Sequence, residues 1–473
     1  MSEKIEEQFR NNKTRNLKRV ALVNPPYSNY LYTKEKGIKS ILPPLNLLYL
    51  HAYIRDFSES RLFDGETYDS LESLVSDISD FNPDLIGYTS TTPTYPIVRR
   101  IAHNFSGGPL QVIGGVYATV ADREVAKDFD VVVRYEGEET LRELIEGRNL
   151  REIRGLTFLE EGQMRTTPNR SFKEDLDSLP VPSWDIIDFD NYHSSAHRSG
   201  GKKFGILFTT RGCYFSCTYC STQLINGPNI RRRSPEKVGE EIDLIKEKHG
   251  ISHFQVWDDT FTLEKRRLRE FCGVFKEREI TFDCNTRPDC FTEEDARLMK
   301  EAGCRNIFFG VESGSDEILN YLGRPMKKRL IENSFRYCQQ QGIRTTASFI
   351  IGSPSESEGT LRETLEFAKR LRSDHVLFNV LTPHKGTEIY NLSIEGNLLK
   401  PYEVDTEKYP QEPIGVPMVE NINGINREEI NEWKMRMYKE YYLRSSYVSQ
   451  QLSRARSLED LSKLIKLIRV YSK

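Results

Sequence analysis

The stretch FGILFTTRGCYFSCTYC, residues 204–220, joins an apolar run to a group of closely spaced cysteines. Its first six residues have the composition of a buried strand. Three cysteines, Cys213, Cys217 and Cys220, follow in a CxxxCxxC pattern directly after Gly212. A buried strand that ends at a set of thiols predicts a parallel βα fold whose chemistry lies at the carboxyl ends of its strands.

The cysteine pattern favours a metal or cluster site. None of the eight cysteines lies in the first 212 residues, and a disulfide framework is not expected in a large cytosolic chain. Three thiolates on a [4Fe–4S] cluster leave one iron open to the amino and carboxylate groups of an amino acid. The alternatives are three core cysteines at a strand end, or a zinc site, for which no CxxC or HxxxH pair elsewhere supplies the fourth ligand. The other cysteines are scattered and are predicted to be small core residues: Cys272, Cys284, Cys290, Cys304 and Cys338.

Residues 201–395 alternate between apolar runs and amphipathic stretches, which predicts βα units and a parallel sheet. Six such units predict a partial, open (β/α)6 barrel with its chemistry at the C-terminal ends of the strands. The candidate strands begin near Phe204, His253, Thr281, Asn306, Thr345 and His375.

Residues 19–150 show the same alternation, with five short apolar runs. They predict a flavodoxin-like or Rossmann-like doubly wound α/β domain, whose ligand lies at the carboxyl ends of the strands. The GxGxxG phosphate loop is absent after the first strand, which disfavours a dinucleotide. Between the second and third runs, one helical face is formed by Leu71, Leu74, Val75, Ile78 and Phe81.

Three further segments complete the predicted organisation. Residues 1–18 are charged and aperiodic and are predicted to be a mobile arm. Residues 151–200 are predicted to be a connector with a hairpin that turns at Glu161-Gly162. Residues 396–473 are predicted to form a C-terminal helical cap over the barrel mouth. The residues expected at that mouth are Tyr441, Tyr442 and Arg444.

Composition excludes several classes of protein. The chain has 473 residues and a formal net charge of -3, so no global charge favours nucleic-acid binding. No apolar run is long enough to span a bilayer, and the charged N-terminus lacks the apolar core of a secretory signal. We therefore expect a cytoplasmic protein without a transmembrane segment. The basic run Arg231–Arg233 predicts a solvated face or a contact for an anionic substrate or electron donor.

The CxxxCxxC, with the aromatic Tyr219 before its last cysteine, resembles the signature of radical S-adenosylmethionine enzymes. Motifs after the later strands fit the same family: Asp258-Asp259, Asn285-Thr286-Arg287, Gly310-Val311-Glu312-Ser313-Gly314, Gly352-Ser353-Pro354 and Thr382 to Thr387. The resemblance implies a [4Fe–4S] cluster on the three cysteines. The S-adenosylmethionine site that it implies comprises Tyr219, Glu312, Ser313, Arg287, Gly352 and Pro354. Glu312 and its neighbours would hold the amino group and ribose, Arg287 the carboxylate, and the Gly352 turn the adenine. For Asp258, Asp259 and Arg287, ordinary ion pairing is an equal alternative.

Residues 19–150 resemble the cobalamin-binding domain that precedes the barrel in one subfamily of these enzymes. The residues that this resemblance places at the ligand are Pro25, Thr89, Ser90, Thr91, Gly114, Gly115, Glu136 and Gly137. The cobalt-ligating DxHxxG of many such domains is missing, since Asp64-Gly65-Glu66-Thr67 has no His. The lower face of cobalt is then free, stacked on a ring, or met by another side chain, for which the candidates are Tyr27, Tyr30, Tyr88 and Tyr117.

The resemblance implies a cobalamin-dependent methyltransferase that acts on an unactivated carbon after hydrogen abstraction by a deoxyadenosyl radical. Methylcobalamin would be the methyl donor, and ferredoxin or flavodoxin the small electron donor, in an anaerobic host. A peptide or protein side chain is the favoured substrate. The alternatives are a cyclase or rearrangement enzyme acting on a small molecule, tetrapyrrole or lipid, a sulfur-inserting enzyme, and a non-catalytic cobalamin or iron–sulfur sensor.

Overall fold

A computed structural model describes residues 17–27, 40–194, 203–398, 424–455 and 458–472 of the chain. Most of the arm predicted over residues 1–18 therefore lies outside the described residues, as does Tyr30. The fold class predicted from the sequence is confirmed: an α/β N-terminal domain, an α/β barrel and a helical C-terminal region follow one another.

The N-terminal domain is built on a parallel sheet whose strands are the five apolar runs of the sequence. These strands are β1 (Arg19–Asn24), β2 (Glu59–Asp64), β3 (Leu85–Thr89), β4 (Leu110–Gly114) and β5 (Val131–Val133). Their order is β2-β1-β3-β4-β5, as in a doubly wound fold. Helices cover both faces and bury two apolar clusters against the sheet. They are α1 (Leu45–Ile54), α2 (Leu71–Phe81), α3 (Tyr95–His103), α4 (Val116–Val120), α5 (Asp122–Val125) and α6 (Glu138–Ile145).

The predicted hairpin extends this sheet. Strands β6 (Leu156–Glu160) and β7 (Gln163–Thr166) pair with each other, and β6 also pairs antiparallel with β5. The two turn residues, Glu161 and Gly162, both have positive φ, which matches the right-handed twist of the flanking strands. The hairpin placed in the connector is thus part of the N-terminal sheet.

The second domain is an open barrel of six parallel strands, as predicted. The strands are β8 (Gly205–Leu207), β11 (His253–Val256), β12 (Thr281–Thr286), β13 (Cys304–Glu312), β14 (Arg344–Ile351) and β15 (His375–Val380). They pair in this order, so β8 and β15 are the two edges. A short ribbon, β9 (Thr210–Arg211) with β10 (Arg231–Arg232), follows β8. The helices are α7 (Thr222–Asn226), α8 (Pro235–His249), α9 (Lys265–Glu277), α10 (Glu293–Glu301), α11 (Asp316–Tyr321), α12 (Lys328–Gln341), α13 (Glu358–Leu371) and α14 (Glu388–Glu395).

The C-terminal region forms three helices, of which the first packs on edge strand β15 and carries the other two. The three are α15 (Arg427–Tyr442), α16 (Ser445–Arg454) and α17 (Leu458–Ser472). The Tyr442 hydroxyl accepts a hydrogen bond from the Val376 amide and donates one to the Val376 carbonyl, each 3.0 Å long. Tyr438 accepts from the Phe378 amide, also at 3.0 Å. These hydroxyls satisfy backbone groups that an edge strand otherwise exposes.

This placement corrects the prediction that Tyr441, Tyr442 and Arg444 lie at the barrel mouth. The Tyr441 hydroxyl donates to the carbonyl of Ser373, which precedes β15 at the end of the strand remote from the mouth. The Arg444 guanidinium stacks on the Tyr441 ring, 3.7 Å from its centroid. The helical face predicted for this region is correct, because its members are buried: Ile430, Trp433, Met437 and Tyr441.

Candidate functional site

The cysteine loop is closed at its base by the β9–β10 ribbon. Arg211 pairs with Arg231, and residues 212–230 form the loop between them. Gly212 opens the loop with φ +98°, and a Cβ there would lie 2.2 Å from the carbonyl oxygen of Asn229. A glycine is therefore required where the chain turns from the ribbon toward Cys213.

Two guanidinium groups flank Cys217. Arg287 Nη1 and Arg324 Nη1 each lie 3.8 Å from its Sγ atom. Burial raises the pKa of Cys213 to about 11 and also raises that of Cys220. Both thiols are thus protonated when free, and iron binding would release their protons.

The three thiols fit a cluster better than a single ion. No group of three His, Cys, Asp or Glu side chains in the described ranges can hold one metal ion. The ligands of a [4Fe–4S] cluster bind separate irons, so they do not need to meet at one point. Cys220 is oriented by Thr222, whose amide donates to its Sγ at 3.5 Å and whose hydroxyl lies 3.3 Å from it.

Arg324 links three of the predicted groups at the end of β13. Its Nη1 lies 3.4 Å from Glu312 Oε1 and 3.3 Å from the Tyr219 hydroxyl, and its Nη2 donates to the Gly310 carbonyl at 2.8 Å. A Cβ at Gly310 would lie 2.5 Å from Glu312 Oε1. Arg324 was not predicted from the sequence, where its one signal is its position after Gly323, in the turn that follows α11.

Glu312 has the features of a functional carboxylate. Its φ is +68°, a left-handed conformation that a residue with a large side chain rarely adopts. Burial raises the pKa of its carboxyl, and the Arg324 guanidinium opposes that rise. Arg324 Nε has no hydrogen-bond partner in the described part of the chain, although it is buried. A polar ligand beside Glu312 would satisfy this donor.

The other residues predicted for S-adenosylmethionine differ in what they contact: an ion pair, a buried helix or a turn. Arg287 pairs with Asp289 at 2.7 Å and stacks on Phe215, with 3.6 Å to the ring centroid. Ser313 is fully buried, and its hydroxyl lies 3.0 Å from that of Thr364 on α13, so it ties the strand end to a helix. Gly352 has φ +81° in the turn after β14, and Pro354 is buried beside it.

The two aspartates after β11 have different roles. Asp258 is buried and accepts hydrogen bonds from the amides of Thr209 and Thr210, at 2.7 and 3.1 Å. It therefore caps the chain where β8 leads into the ribbon. Asp259 accepts a hydrogen bond from the Thr222 hydroxyl at 3.1 Å and so supports the side chain that contacts Cys220.

The predicted cobalamin edge is compact around Gly115. Its φ is +95°, and a Cβ there would lie 2.6 Å from the Ser90 carbonyl oxygen, so a glycine lets the loops after β3 and β4 meet. Ser90 is buried and its hydroxyl donates to the Gly114 carbonyl at 3.2 Å. Thr91 is exposed at this edge, and Thr89 accepts a hydrogen bond from Asn46. Pro25 is buried at the end of β1.

The loop after β5 contacts the barrel. Glu136 accepts hydrogen bonds from Arg211 at 2.8 Å and Arg231 at 2.7 Å, and Gly137 precedes the first residue of α6. The carboxylate predicted to face cobalamin is therefore engaged with the base of the cysteine loop. Its direct contact with a ligand is not supported by this geometry.

Two of the tyrosines proposed below cobalt are core residues. Tyr88 lies within β3 and packs edge-on against Phe129. Tyr117 lies in α4 and donates a hydrogen bond to Glu124 at 2.7 Å. Both are buried between sheet and helices, so neither reaches a ligand at the sheet edge. Tyr27 is exposed at the end of β1, where its amide donates to Glu66.

The basic run is not a solvated face. Arg231 and Arg233 are buried, and Arg233 donates to Glu241 at 2.6 Å. Arg232 is exposed and pairs with Glu264. Each arginine thus pairs with a carboxylate on a different element. Ser234 caps α8 by accepting a hydrogen bond from the Lys237 amide.

The carboxyl edge of the N-terminal sheet faces the barrel mouth. Besides the Glu136 contact after β8, Lys385 in the loop after β15 pairs with Glu124 in α5. Helix α4 also contacts α7, which follows the cysteines. The predicted cobalamin edge and the cysteine loop therefore lie on the same side of the molecule and are held together at both edges of the barrel.

Two protein families match the sequence over these two regions. The B12 binding domain matches residues 37–145, and the Radical SAM superfamily matches residues 207–368. These ranges contain β2 to β5 with the sheet edge, and β9 to β14 with the cysteine loop.

Similar proteins span nearly the whole chain. An uncharacterized methyltransferase of Pyrococcus horikoshii is 32% identical over 443 residues, which are 90% of this chain and 93% of the relative. An anaerobic magnesium-protoporphyrin IX monomethyl ester cyclase of Cereibacter sphaeroides is 26% identical, over 90% of this chain and 71% of the relative. The structure of the cobalamin-dependent S-adenosylmethionine radical enzyme OxsB, with aqua-cobalamin and S-adenosylmethionine bound, has a TM-score of 0.71 and 18% identity. The match covers 96% of this chain and 71% of the OxsB chain, and at that identity it shows a shared fold.

Among the described helices, none has the length and apolar character to cross a membrane.

Proposed function

Because the chain belongs to the radical S-adenosylmethionine enzymes that carry a B12-binding domain, we propose that it methylates an unactivated carbon. The cofactors of this family are a [4Fe–4S] cluster, S-adenosylmethionine and cobalamin. When bound, they supply radical formation and methyl carriage, chemistry that no amino-acid side chain offers.

The residues of the cysteine loop fit the first two cofactors. Cys213, Cys217 and Cys220 would hold the cluster through their thiolates. Glu312 and Arg324 form a buried acid–base pair beside Cys217, with one donor of Arg324 unused. Such a pair suits the ammonium and carboxylate of an amino acid, which is the end of S-adenosylmethionine that an open iron chelates.

The sheet edge of the N-terminal domain fits cobalamin. Gly114 and Gly115 carry no side chains at the end of β4, and Thr91 is exposed at the same edge. The chain's own contribution is to orient two cofactors toward one space and to exclude water and oxygen from it.

The observation that carries the proposal is the juxtaposition of the two edges. The cysteine loop, after the first barrel strand, contacts the carboxyl edge of the other sheet through Glu136, and the loop after the last strand contacts it through Glu124. A methyl carrier on one edge and a radical source on the other would then share one substrate space.

The test is anaerobic reconstitution with iron, sulfide and hydroxocobalamin, followed by reductant and S-adenosylmethionine. We expect both 5′-deoxyadenosine and S-adenosylhomocysteine from the wild type. Cys217→Ala should lose deoxyadenosine, whereas the matched control Cys272→Ala, at a buried site of the core, should retain it. Bound cobalamin without either product, in the presence of candidate substrates, would contradict the proposal.

A second candidate is cyclisation or rearrangement of a small molecule. The similarity to the magnesium-protoporphyrin ester cyclase favours it. Deoxyadenosine without S-adenosylhomocysteine, under multiple-turnover conditions, would support this candidate over methyl transfer.

For the substrate, we propose a peptide or protein side chain. A trideuteromethyl label on S-adenosylmethionine, added with an anaerobic cell extract, should then appear in the macromolecular fraction after ultrafiltration. Label in the filtrate would indicate a small molecule and contradict this part of the proposal.

Enzymes of this superfamily need an electron donor, and we propose a small ferredoxin or flavodoxin. The test is to replace the chemical reductant with either protein.

A further inference from the structure

A largely buried ion-pair cluster joins the N-terminal domain to the base of the cysteine loop. We call it the clamp and define it as Glu136, Glu138, Arg211 and Arg231. The two carboxylates come from the loop after β5 and the start of α6, and the two guanidinium groups come from the β9–β10 ribbon. It thus connects the predicted cobalamin edge with the two strands that lead into and out of the cysteine loop.

Glu136 is the central member of the clamp. Its Oε1 atom accepts from Nη1 of Arg211 at 2.8 Å and from Nη1 of Arg231 at 2.7 Å. Its Oε2 atom accepts from the Lys173 amide at 2.9 Å. Within the described residues, Glu138 accepts from Arg211 alone, at 3.0 and 3.1 Å. Glu136 is therefore the clamp carboxylate that bridges both ribbon strands.

The clamp is shielded from water. The Arg231 side chain is 2% exposed and the Glu136 side chain 13%. Arg231 also donates to the carbonyls of Lys173 and Asn226, each at 3.0 Å. Although burial alone would raise it, the neighbouring Arg211, Lys173 amide and Arg231 hold the pKa of Glu136 below its usual range. Two negative and two positive charges thus balance within the interface.

Such a buried cluster is sensitive to the loss of one member. Removing a single charge leaves an opposite charge buried without its partner, which costs far more than the intact pair contributes. Replacing Glu136 by Gln keeps its size and one oxygen that can accept from the arginines, but it removes the negative charge. Arg231 then has no carboxylate partner in the described part of the chain, and Arg211 retains only Glu138. The link between the ribbon and the N-terminal domain would weaken most at β10 and less at β9.

We propose that Glu136 is a positioning residue, which sets the cysteine loop against the cobalamin edge. Arg211 stands two residues before Cys213, so a shift of the ribbon is passed to the first predicted cluster ligand through Gly212 alone. This role rests on the proposed function, because it assigns cofactors to the two surfaces that the clamp joins. A displacement of ~1 Å between reacting groups can cost about 100-fold in rate, so small movements of the ribbon matter.

The same ribbon offers a matched control. Arg232 pairs with Glu264, which lies within the barrel domain just before α9. Glu264→Gln removes one carboxylate from the same ribbon without touching the interface between the domains. Glu138→Gln is an intermediate variant, because it removes only the second partner of Arg211.

The experiment follows backbone hydrogen exchange of residues 212–230 in the reconstituted full chain, anaerobically, with and without hydroxocobalamin. We expect hydroxocobalamin to slow exchange of this loop at least about threefold in the wild type and in Glu264→Gln. Glu136→Gln should bind hydroxocobalamin with a Kd within about threefold of wild type and keep its iron, but lose the protection. In turnover, its ratio of deoxyadenosine to methylated product should rise about tenfold or more. Glu138→Gln should show protection and a product ratio between those of the wild type and Glu136→Gln. It replaces Glu136→Gln in the test if that variant does not fold.

Several results would overturn the inference. One is that hydroxocobalamin protects the loop from exchange equally in the wild type and in Glu136→Gln. Another is that Glu264→Gln loses this protection as fully as Glu136→Gln. A wild type that binds hydroxocobalamin without any change in the loop would also reject it. A failure of the proposed function appears instead in the wild type itself, as absence of hydroxocobalamin binding or of S-adenosylhomocysteine.

Discussion

Replacement of Gly212 by Ala should disrupt the cysteine loop much more than the same change at a glycine in open space. Gly212 has φ +98°, and an added Cβ would lie 2.2 Å from the Asn229 carbonyl oxygen and 3.3 Å from that of Gly227. Gly250, at the end of α8, has φ +68°, and nothing lies within 4 Å of its added Cβ. The two variants share the backbone penalty and differ in the clash.

The expected magnitudes follow from these two contributions. A left-handed conformation costs a residue with a side chain about 1–2 kcal/mol, which is the whole effect expected for Gly250→Ala. At Gly212, relief of the clash requires a backbone shift of roughly 1 Å, and overpacking of this kind adds about 1–3 kcal/mol. The total for Gly212→Ala is about 2–5 kcal/mol, concentrated where the ribbon meets Cys213.

The assay is iron bound per chain after anaerobic reconstitution, together with the rate of proteolysis within residues 212–230. We expect Gly212→Ala to lose most of its iron and to be cleaved faster, whereas Gly250→Ala matches the wild type in both. Wild-type iron content in Gly212→Ala would refute the reasoning from loop geometry. Equal loss in both variants would show that backbone strain alone, and not the clash with Asn229, controls the loop.

Further predictions concern charge, the sheet edge and pH. Arg324→Gln leaves the buried Glu312 without its cation and should destabilise the barrel by about 3–5 kcal/mol in urea unfolding, while the double variant with Glu312→Gln should recover most of that loss; a double variant as unstable as the single one would contradict the pairing. Tyr442→Phe leaves the amide and carbonyl of Val376 without their hydrogen-bond partner at the sheet edge and should lower the free energy of unfolding by about 2–4 kcal/mol. A urea midpoint equal to that of the wild type would contradict this. Burial raises the pKa of Glu356 to about 7, from 4.5 in the unfolded chain, so its contribution to stability is full below pH 4.5 and is lost as the pH rises through 7. Glu356→Gln should therefore flatten the fall in thermal stability between pH 5 and 8, by at most about 3 kcal/mol, and an unchanged pH profile would reject this role.

The architecture was accessible from the sequence because it rests on local patterns. Apolar runs of strand length, separated by helical faces such as that of α2, predicted both parallel sheets and their order along the chain. The CxxxCxxC after a buried strand predicted which sheet carries the cluster chemistry. The hairpin turn at Glu161-Gly162 was predicted as well, but its pairing with β5 was not, since strand pairing is a non-local property.

The contacts of the site's side chains were harder to predict from the sequence. Asp258 and Asp259 are neighbours in sequence, yet one caps a backbone turn and the other supports Thr222. Tyr88 lies near the end of one apolar run and Tyr117 follows another, positions from which a side chain could reach the sheet edge, but both pack into the core. The basic run Arg231–Arg233 has the composition of a solvated face, and only its three separate carboxylate partners show otherwise.

By itself the sequence determined the two α/β domains, and it predicted the three cluster cysteines and the edges at which ligands are expected. Those properties follow from hydrophobic periodicity, strand direction and spacing, all of which are encoded within short segments. The tertiary structure alone decided that Arg324 joins Glu312 beside Cys217, that Glu136 contacts the ribbon, and that tyrosines of α15 seal β15. Each of these contacts joins residues far apart in the chain, and their energy depends on burial, which only the folded arrangement of the elements creates.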